Sequence, residues 1–442
     1  MSTLQQPTML GLPSELLTEI FRHAVQLPNW DSNARSAFAS YDLKICRRLS
    51  SVCKRFYSTS LKFNYQTIRL GPRNDTWRRP PTIASVTHLH NIMQANSVIP
   101  GYCQNLSIYA GFPSDGSSEA LTYFAHNVVP LLTEVDTLGF NGPLSAISSD
   151  PSWLVLQQAA RHMPKLAHLE LISYINDLEI TPLVTQVEFG ALQTLRLSGA
   201  SGERESLQRP EIKKATFDQL FLLDLKVKAD QLNLLIHWPS VLTTFVFDEY
   251  KHSERWGRVL ALPEILQMLR KHKETLKVVK ICSLGARVPI EDSLDTSDFT
   301  ALEELTVSRW HFGDTDPIFH ETDVDLVAAP KFKRLNYDAR RDMYRQRHGQ
   351  LREDDETWIR RLIQGALARN LSLQQFEVVA QQNIPAAFTD PVYPWDRIRR
   401  LEEEFKPRGV GVISNPPVVT KSEWKAFHDV MNDSDDSIEW QT

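Results

Sequence analysis

The chain is short of the residues that would commit it to a specialised architecture. It has four cysteines in 442 residues, Cys46, Cys53, Cys103 and Cys282, and no two are close enough to form a CxxC pair. That excludes a disulfide framework or a zinc ribbon and predicts four reduced, buried thiols. Glycine is scarce, 17 of 442 or about 4%. The Gly409-Val410-Gly411 triplet has no helix signal after it, so no phosphate-cradling loop is expected. HExxH, GxSxG and EF-hand patterns are missing, and His88 and His90 diverge on a helix rather than converge on a metal. No run approaches 18 apolar residues, so no membrane-spanning helix is predicted. Met1 to Leu10 lacks a basic start and an apolar core, so no secretory leader is expected. The sequons starting at Asn74, Asn105, Asn370 and Asn432 are then chance matches. The formal net charge of −5 lacks the positive footprint of a general nucleic-acid binder. Cofactors and metals are therefore not expected, nor is a nucleic-acid or membrane partner, and the compartment is cytoplasmic, nuclear or both.

What is present suffices for a core: 42% apolar and 23% charged residues. At roughly 150 residues per domain the length suits about three domains or one repeat array. One hexad recurs: apolar, two variable, apolar, one variable, apolar. Leu166-Leu169-Leu171, Leu192-Leu195-Leu197 and Leu220-Leu223-Leu225 are examples. Its central residues are Ile68, Leu106, Leu138, Leu169, Leu195, Leu223, Phe245, Val279, Leu305, Leu335 and Phe376, eleven copies. Ten intervals over 376 − 68 = 308 residues average about 31, longer and less regular than the usual L-x-x-L-x-L leucine-rich repeat.

The last two apolar positions of each hexad are two apart, so they share one side of a strand. Amphipathic stretches precede many copies. Pro151 opens one with Trp153, Leu156, Ala160 and Met163 on a face, and Leu262–Leu269 and Trp358–Leu367 pattern similarly. Strand–helix alternation predicts a parallel sheet with helices on one side, which repetition curves into an α/β solenoid. A doubly wound sheet is the competing reading, but its strands would be apolar on both faces. Here the other face is polar: His168, Glu170, Arg196, Asp224, Lys226, Asp248, Lys280, Glu304, Arg334, Asn336 and Glu377. This face is predicted to be solvated and to recognise a ligand. Its mixed signs select no charge class. The candidates on or beside it are Arg196, Lys226, Lys280, Arg309, Trp310 and Arg334; Arg309-Trp310 pairs two types enriched in hot spots. The stretch 339–355 holds Arg340, Arg341, Arg345, Arg347 and Arg352, but interleaved acids mark it as solvated surface.

Residues 10–62 do not follow the repeat. Leu16, Leu17, Ile20, Phe21 and Ala24 form one apolar stripe after Pro13, and Ile45, Leu49, Val52, Cys53 and Phe56 form another with a basic opposite face. Two or three short helices in about 50 residues cannot bury both stripes, which predicts a protein partner. Leu12-Pro13-x-Glu15-Leu16-Leu17-x-x-Ile20-Phe21, followed by Ser51-Val52-Cys53-Lys54-Arg55-Phe56-Tyr57, resembles an F-box, in the form found in fungal F-box proteins with C-terminal leucine-rich repeats. Two features depart from that pattern: a long linker, Leu27 to Asp42, and Phe56 where many members carry Trp.

The resemblance implies the following. The box binds Skp1, which tethers the chain to a cullin–RING ubiquitin ligase, and the repeats hold a protein substrate. Leu12, Pro13, Leu16, Leu17, Ile20, Phe21, Leu49, Val52 and Phe56 contact Skp1 or shape that surface, with Leu17, Val52 and Cys53 read as helix core. The chain contributes no catalytic group. A leucine-rich adaptor or scaffold that does not ubiquitylate is the alternative. The segments expected are a flexible 1–9, an F-box over 10–62, repeats over 63–413, and an extension with an acidic tail over 414–442.

Overall fold

The computed structural model of the chain describes residues 12–25, 43–71, 80–110, 117–144, 151–178, 180–201, 214–225, 227–249, 260, 262–282, 295–312, 317–339, 351–380, 392–417 and 419–426. The chain divides into two compact units, Met1–Phe217 and Asp218–Thr442.

The first unit opens with three helices, α1 (Ser14–Val25), α2 (Leu43–Ser50) and α3 (Lys54–Tyr65). Five strands follow: β1 (Thr67–Leu70), β2 (Asn105–Tyr109), β3 (Thr137–Asn141), β4 (His168–Leu178) and β5 (Thr194–Ser201). Each pairs in parallel with the next, and the register is that of the hexads. Leu106, Leu138, Leu169 and Leu195 are lateral neighbours, as are Ile108, Phe140, Leu171 and Leu197. These side chains are almost fully buried, each contributing about 1.5–3 kcal/mol relative to exposure. Helices α4 (Ile83–Ala95), α5 (Ser117–Asn127), α6 (Pro151–His162) and α7 (Ile180–Gln186) lie between successive strands, with α4 on α5 and α5 on α6.

The second unit has seven strands: β6 (Gln219–Leu225), β7 (Thr244–Glu249), β8 (Val278–Ile281), β9 (Glu304–Ser308), β10 (Arg334–Asp338), β11 (Gln375–Val379) and β12 (Gly411–Ser414). They too pair in parallel in chain order. Helices α8 (Ala229–His237), α9 (Leu262–Leu269), α10 (Glu353–Ala368) and α11 (Pro394–Phe405) precede β7, β8, β11 and β12. A doubly wound sheet reverses its strand order at a switch point; neither unit does.

A backbone motif recurs along both units. Two successive N–H groups before a strand donate to one carbonyl of the preceding repeat. Gln104 and Asn105 donate to Gln66 at 3.0 and 2.9 Å, Asp136 and Thr137 to Gln104, and Ala167 and His168 to Asp136. In the second unit Lys277 and Val278 donate to Thr243, Glu303 and Glu304 to Lys277, and Lys333 and Arg334 to Glu303. The ladder thus extends one step beyond the strands and satisfies the turn carbonyls.

Three expectations are corrected. The sixth hexad is Phe217-Leu220-Leu222, because Leu220 lies opposite Phe245 and Leu222 opposite Phe247. The segment satisfies the spacing in two registers three residues apart, and the one chosen buries all three side chains fully. A twelfth strand, β12, escaped because its hexad reads Gly409, Val412, Ser414. Gly409 adopts φ 85°, the left-handed value that lets the chain turn out of a helix into the strand. Third, the polar face is less solvated than predicted: Thr137, Glu170, Thr306 and Asn336 are all buried on it. The Asp224 and Glu249 side chains and all of Lys226 lie outside the described residues.

Candidate functional site

The helical trio has a small core of its own. Leu17 and Phe21 of α1 meet Cys46 of α2 and Phe56 and Phe63 of α3, with Ile45, Leu49 and Cys53 half-buried beside them. Phe21 packs edge-on to Phe56 with ring centroids 5.2 Å apart and stacks on Phe63 at 6.3 Å. The Arg55 guanidinium donates to the Leu12 carbonyl and fastens the lead into α1 to α3. The second apolar stripe is two helices rather than one. The chain turns at Ser51–Cys53, where the Val52 N–H donates to Leu49 O at 3.1 Å, and the Cys53 sulfur caps α3 by accepting from the Phe56 N–H.

This arrangement sorts the nine predicted residues. Leu17, Phe21 and Phe56 are interior, and Leu12 and Leu49 are half-buried. Pro13, Leu16, Ile20 and Val52 face out, with Leu16 52%, Ile20 39% and Val52 62% exposed. The reading of Val52 as core is therefore corrected: it sits at the tip of the turn. Tyr57, 54% exposed, belongs with the outward residues and is missing from the predicted set. The signal was available, since the residue after an inward Phe56 is rotated about 100° round the helix.

The polar sheet face carries ion pairs in both units. In the first, Arg196 Nη1 lies 3.7 Å from Glu170 Oε1. Burial, only partly offset by Arg196, pushes the Glu170 carboxyl up to about 7. In the second, Lys280 Nζ lies 2.8 Å and Arg334 Nη1 3.7 Å from the Glu304 carboxylate. Asn336 donates to Glu304 at 2.9 Å and to Thr306 Oγ1 at 3.1 Å. Lys280 and Arg334 keep about two-fifths of their side-chain surface open.

Arg309 is a different case. It is 2% exposed and pairs with the fully buried Asp355 at 2.8 Å, an oxygen that also accepts the Arg352 N–H. Tyr337 donates to the other Asp355 oxygen at 2.7 Å. The placement of Arg309 at a binding surface is corrected: its cation ties the end of β9 to the first turn of α10. Trp310 lies in the same 3-10 turn, Arg309–Phe312, with its side chain outside the described residues, as are Arg340, Arg341, Arg345 and Arg347. A second buried centre is Glu356, held by Arg360 at 2.8 Å, Arg397 at 2.9 Å and Arg400 at 2.7 Å. Burial alone would raise this carboxyl, but the three guanidinium hydrogen bonds hold it below the ordinary value. Asp355 and Glu356 are charges in an acidic first helical turn, where the helix dipole also favours them.

All four cysteines are free. Cys46 and Cys103 are buried, the latter with its thiol pushed up to about 12 by burial, whereas Cys53 and Cys282 are half-buried rather than buried as expected. Among the described residues no group of three His, Cys, Asp or Glu side chains could hold a metal. No described helix is long and apolar enough to cross a membrane. Comparison with known proteins yields no matching protein-family model and no matching curated relative. The F-box resemblance therefore rests on the residues of this chain.

Proposed function

We propose that the chain is the substrate-recognition subunit of an SCF-type (Skp1–cullin–F-box) ubiquitin ligase, docking Skp1 through α1–α3 and holding a protein substrate on the repeat units. The observation that carries the reading is the division of labour in the trio. Its core closes with Leu17, Phe21, Cys46, Phe56 and Phe63, and Leu16, Ile20, Val52 and Tyr57 are left outside. Exposed apolar side chains grouped on so small a unit mark a protein interface. The F-box-like residues supply all four outward side chains and Leu17, Phe21 and Phe56 of the core. Lys280 and Arg334 are the repeat-face candidates retained for substrate, with Arg196 behind them in exposure.

The mechanism in this reading is proximity. Tethering a substrate lysine beside a charged ubiquitin carrier raises its effective concentration and removes the entropy of a bimolecular encounter. No side chain of this chain acts as nucleophile or base.

Capture of purified Skp1 by the full chain tests the assignment. Leu16→Asp with Ile20→Asp places two carboxylates in the contact and should abolish capture, since each desolvated charge costs several kcal/mol. Undiminished capture by a folded double variant rejects it. Capture of Skp1 without cullin recruitment, and without a client that accumulates on deletion, would favour the adaptor instead.

A further inference from the structure

The segment 43–65 holds six cations, Lys44, Arg47, Arg48, Lys54, Arg55 and Lys62, and not one Asp or Glu. In a chain of net charge −5 this is a local reversal of sign. Arg55 is engaged by the Leu12 carbonyl. Arg47, Arg48, Lys54 and Lys62 are exposed or half-exposed, and none pairs with an acidic side chain among the described residues. Two of them flank the apolar tip. Arg48 stands near the end of α2, four residues before Val52, and Lys54 opens α3 two residues after it. Lys54 and Tyr57 are three apart on α3, so they share a face. The turn between α2 and α3 therefore presents Val52 and Tyr57 beside cations that no described acidic side chain neutralises.

Grouping these cations has a cost. Like charges at close helical spacing repel, and no described acidic side chain offsets them. Exposed cations beside an apolar patch add little to the strength of a contact but much to the speed and selectivity of its formation. We infer that the α2–α3 turn is an electrostatic guide for an acidic protein surface, the Skp1 face that α1–α3 dock, and that Arg47, Arg48 and Lys54 set the rate of capture while Leu16, Ile20, Val52 and Tyr57 set its lifetime. This inference rests on the function proposed above and adds the charge of the partner's face and the kinetic role of each residue set.

Association of the full chain with purified Skp1 is followed at about 50 mM and about 500 mM salt, where screening lengths are roughly 14 and 4 Å. Arg47→Glu with Arg48→Glu and Lys54→Glu should slow association about tenfold or more at low salt, with the difference largely lost at high salt. The dissociation rate should change less than about twofold. Val52→Ala with Tyr57→Ala should do the reverse, speeding dissociation with little effect on association. Should the reversal variant not fold, Arg47→Gln with Arg48→Gln and Lys54→Gln gives the same pattern at smaller amplitude. Equal low-salt association of wild type and charge variant, with Skp1 still bound, overturns the guide and leaves the proposed function standing. Failure of the wild type to bind Skp1 removes both. Binding of polyuridine or of phosphatidylserine vesicles in its place would show that these cations serve nucleic acid or a membrane and would overturn the guide.

Discussion

At the residue scale, neighbouring side chains of like chemistry carry opposite duties. Leu16 and Leu17 are adjacent, as are Phe56 and Tyr57, and in each pair one member is interior and the other is not. Phe21→Ala should therefore cost about 3–5 kcal/mol of stability by leaving a cavity. Leu16→Ala and Ile20→Ala should stay within about 0.5 kcal/mol, as surface changes do. Urea unfolding of the three variants checks this; equal losses would place the apolar stripe inside the protein. Two buried titratable groups act in opposite directions with pH. Burial keeps His311 neutral, its pKa pushed down to about 3 from 6.5. Its folded pKa lies below the unfolded one, so its contribution is complete above about pH 6.5 and is lost as pH falls toward 3. Glu170 is raised from 4.5 to about 7, so its contribution is present below pH 4.5 and is lost as pH rises through 7. Stability measured against pH should show His311→Gln flattening the acid limb. Glu170→Gln should gain about 2 kcal/mol near neutrality, since a tenfold change in proton affinity is worth about 1.4 kcal/mol and residual solvent contact screens part of the effect. The burial of Glu170 and of Arg309 was not legible in the sequence. Glu170 looked like a solvated residue and Arg309 like a surface hot spot, because their partners are remote in the chain: Asp355 lies 46 residues from Arg309.

At the scale of elements, the repeat was legible because the hexad spacing and the strand register are the same fact. An L-x-x-L-x-L segment has one way to bury its last two apolar residues beside a neighbour that does likewise. Legibility failed where the spacing was degenerate, at Phe217–Leu225, and where glycine and serine replaced apolar residues, at β12. Long-range packing also sets limits that composition hides. Gly199 ends the regular pairing of β4 and β5 with φ 102°, and a Cβ there would lie 1.5 Å from the Ser173 carbonyl oxygen. Gly199→Ala should cost more than about 2 kcal/mol and lower the melting temperature of the first unit, since both φ and the contact forbid it. An unchanged melting temperature would show that the strand end is free to relax. Asp355→Asn should weaken the link between β9 and α10 by about 3 kcal/mol, because it leaves the buried Arg309 without its counter-charge. Chemical denaturation is the readout, and a neutral result would mean that the pair contributes nothing net.

At the scale of the whole molecule, two repeat units carry a helical trio at the N-terminal end of the first. The trio was the hardest part to read. Its two stripes pointed to helices and to a partner, but the break at Ser51–Cys53 and the exposure of Val52 follow from how the three helices pack on one another, which the spacing of either stripe does not show. The central claim is that this trio, and not the polar sheet face, docks Skp1. Amide hydrogen exchange of the full chain with and without Skp1 tests it most directly. The account predicts added protection confined to residues 12–24 and 50–58, with β8–β11 unchanged. Protection on the strands, or none anywhere at saturating Skp1, would contradict it.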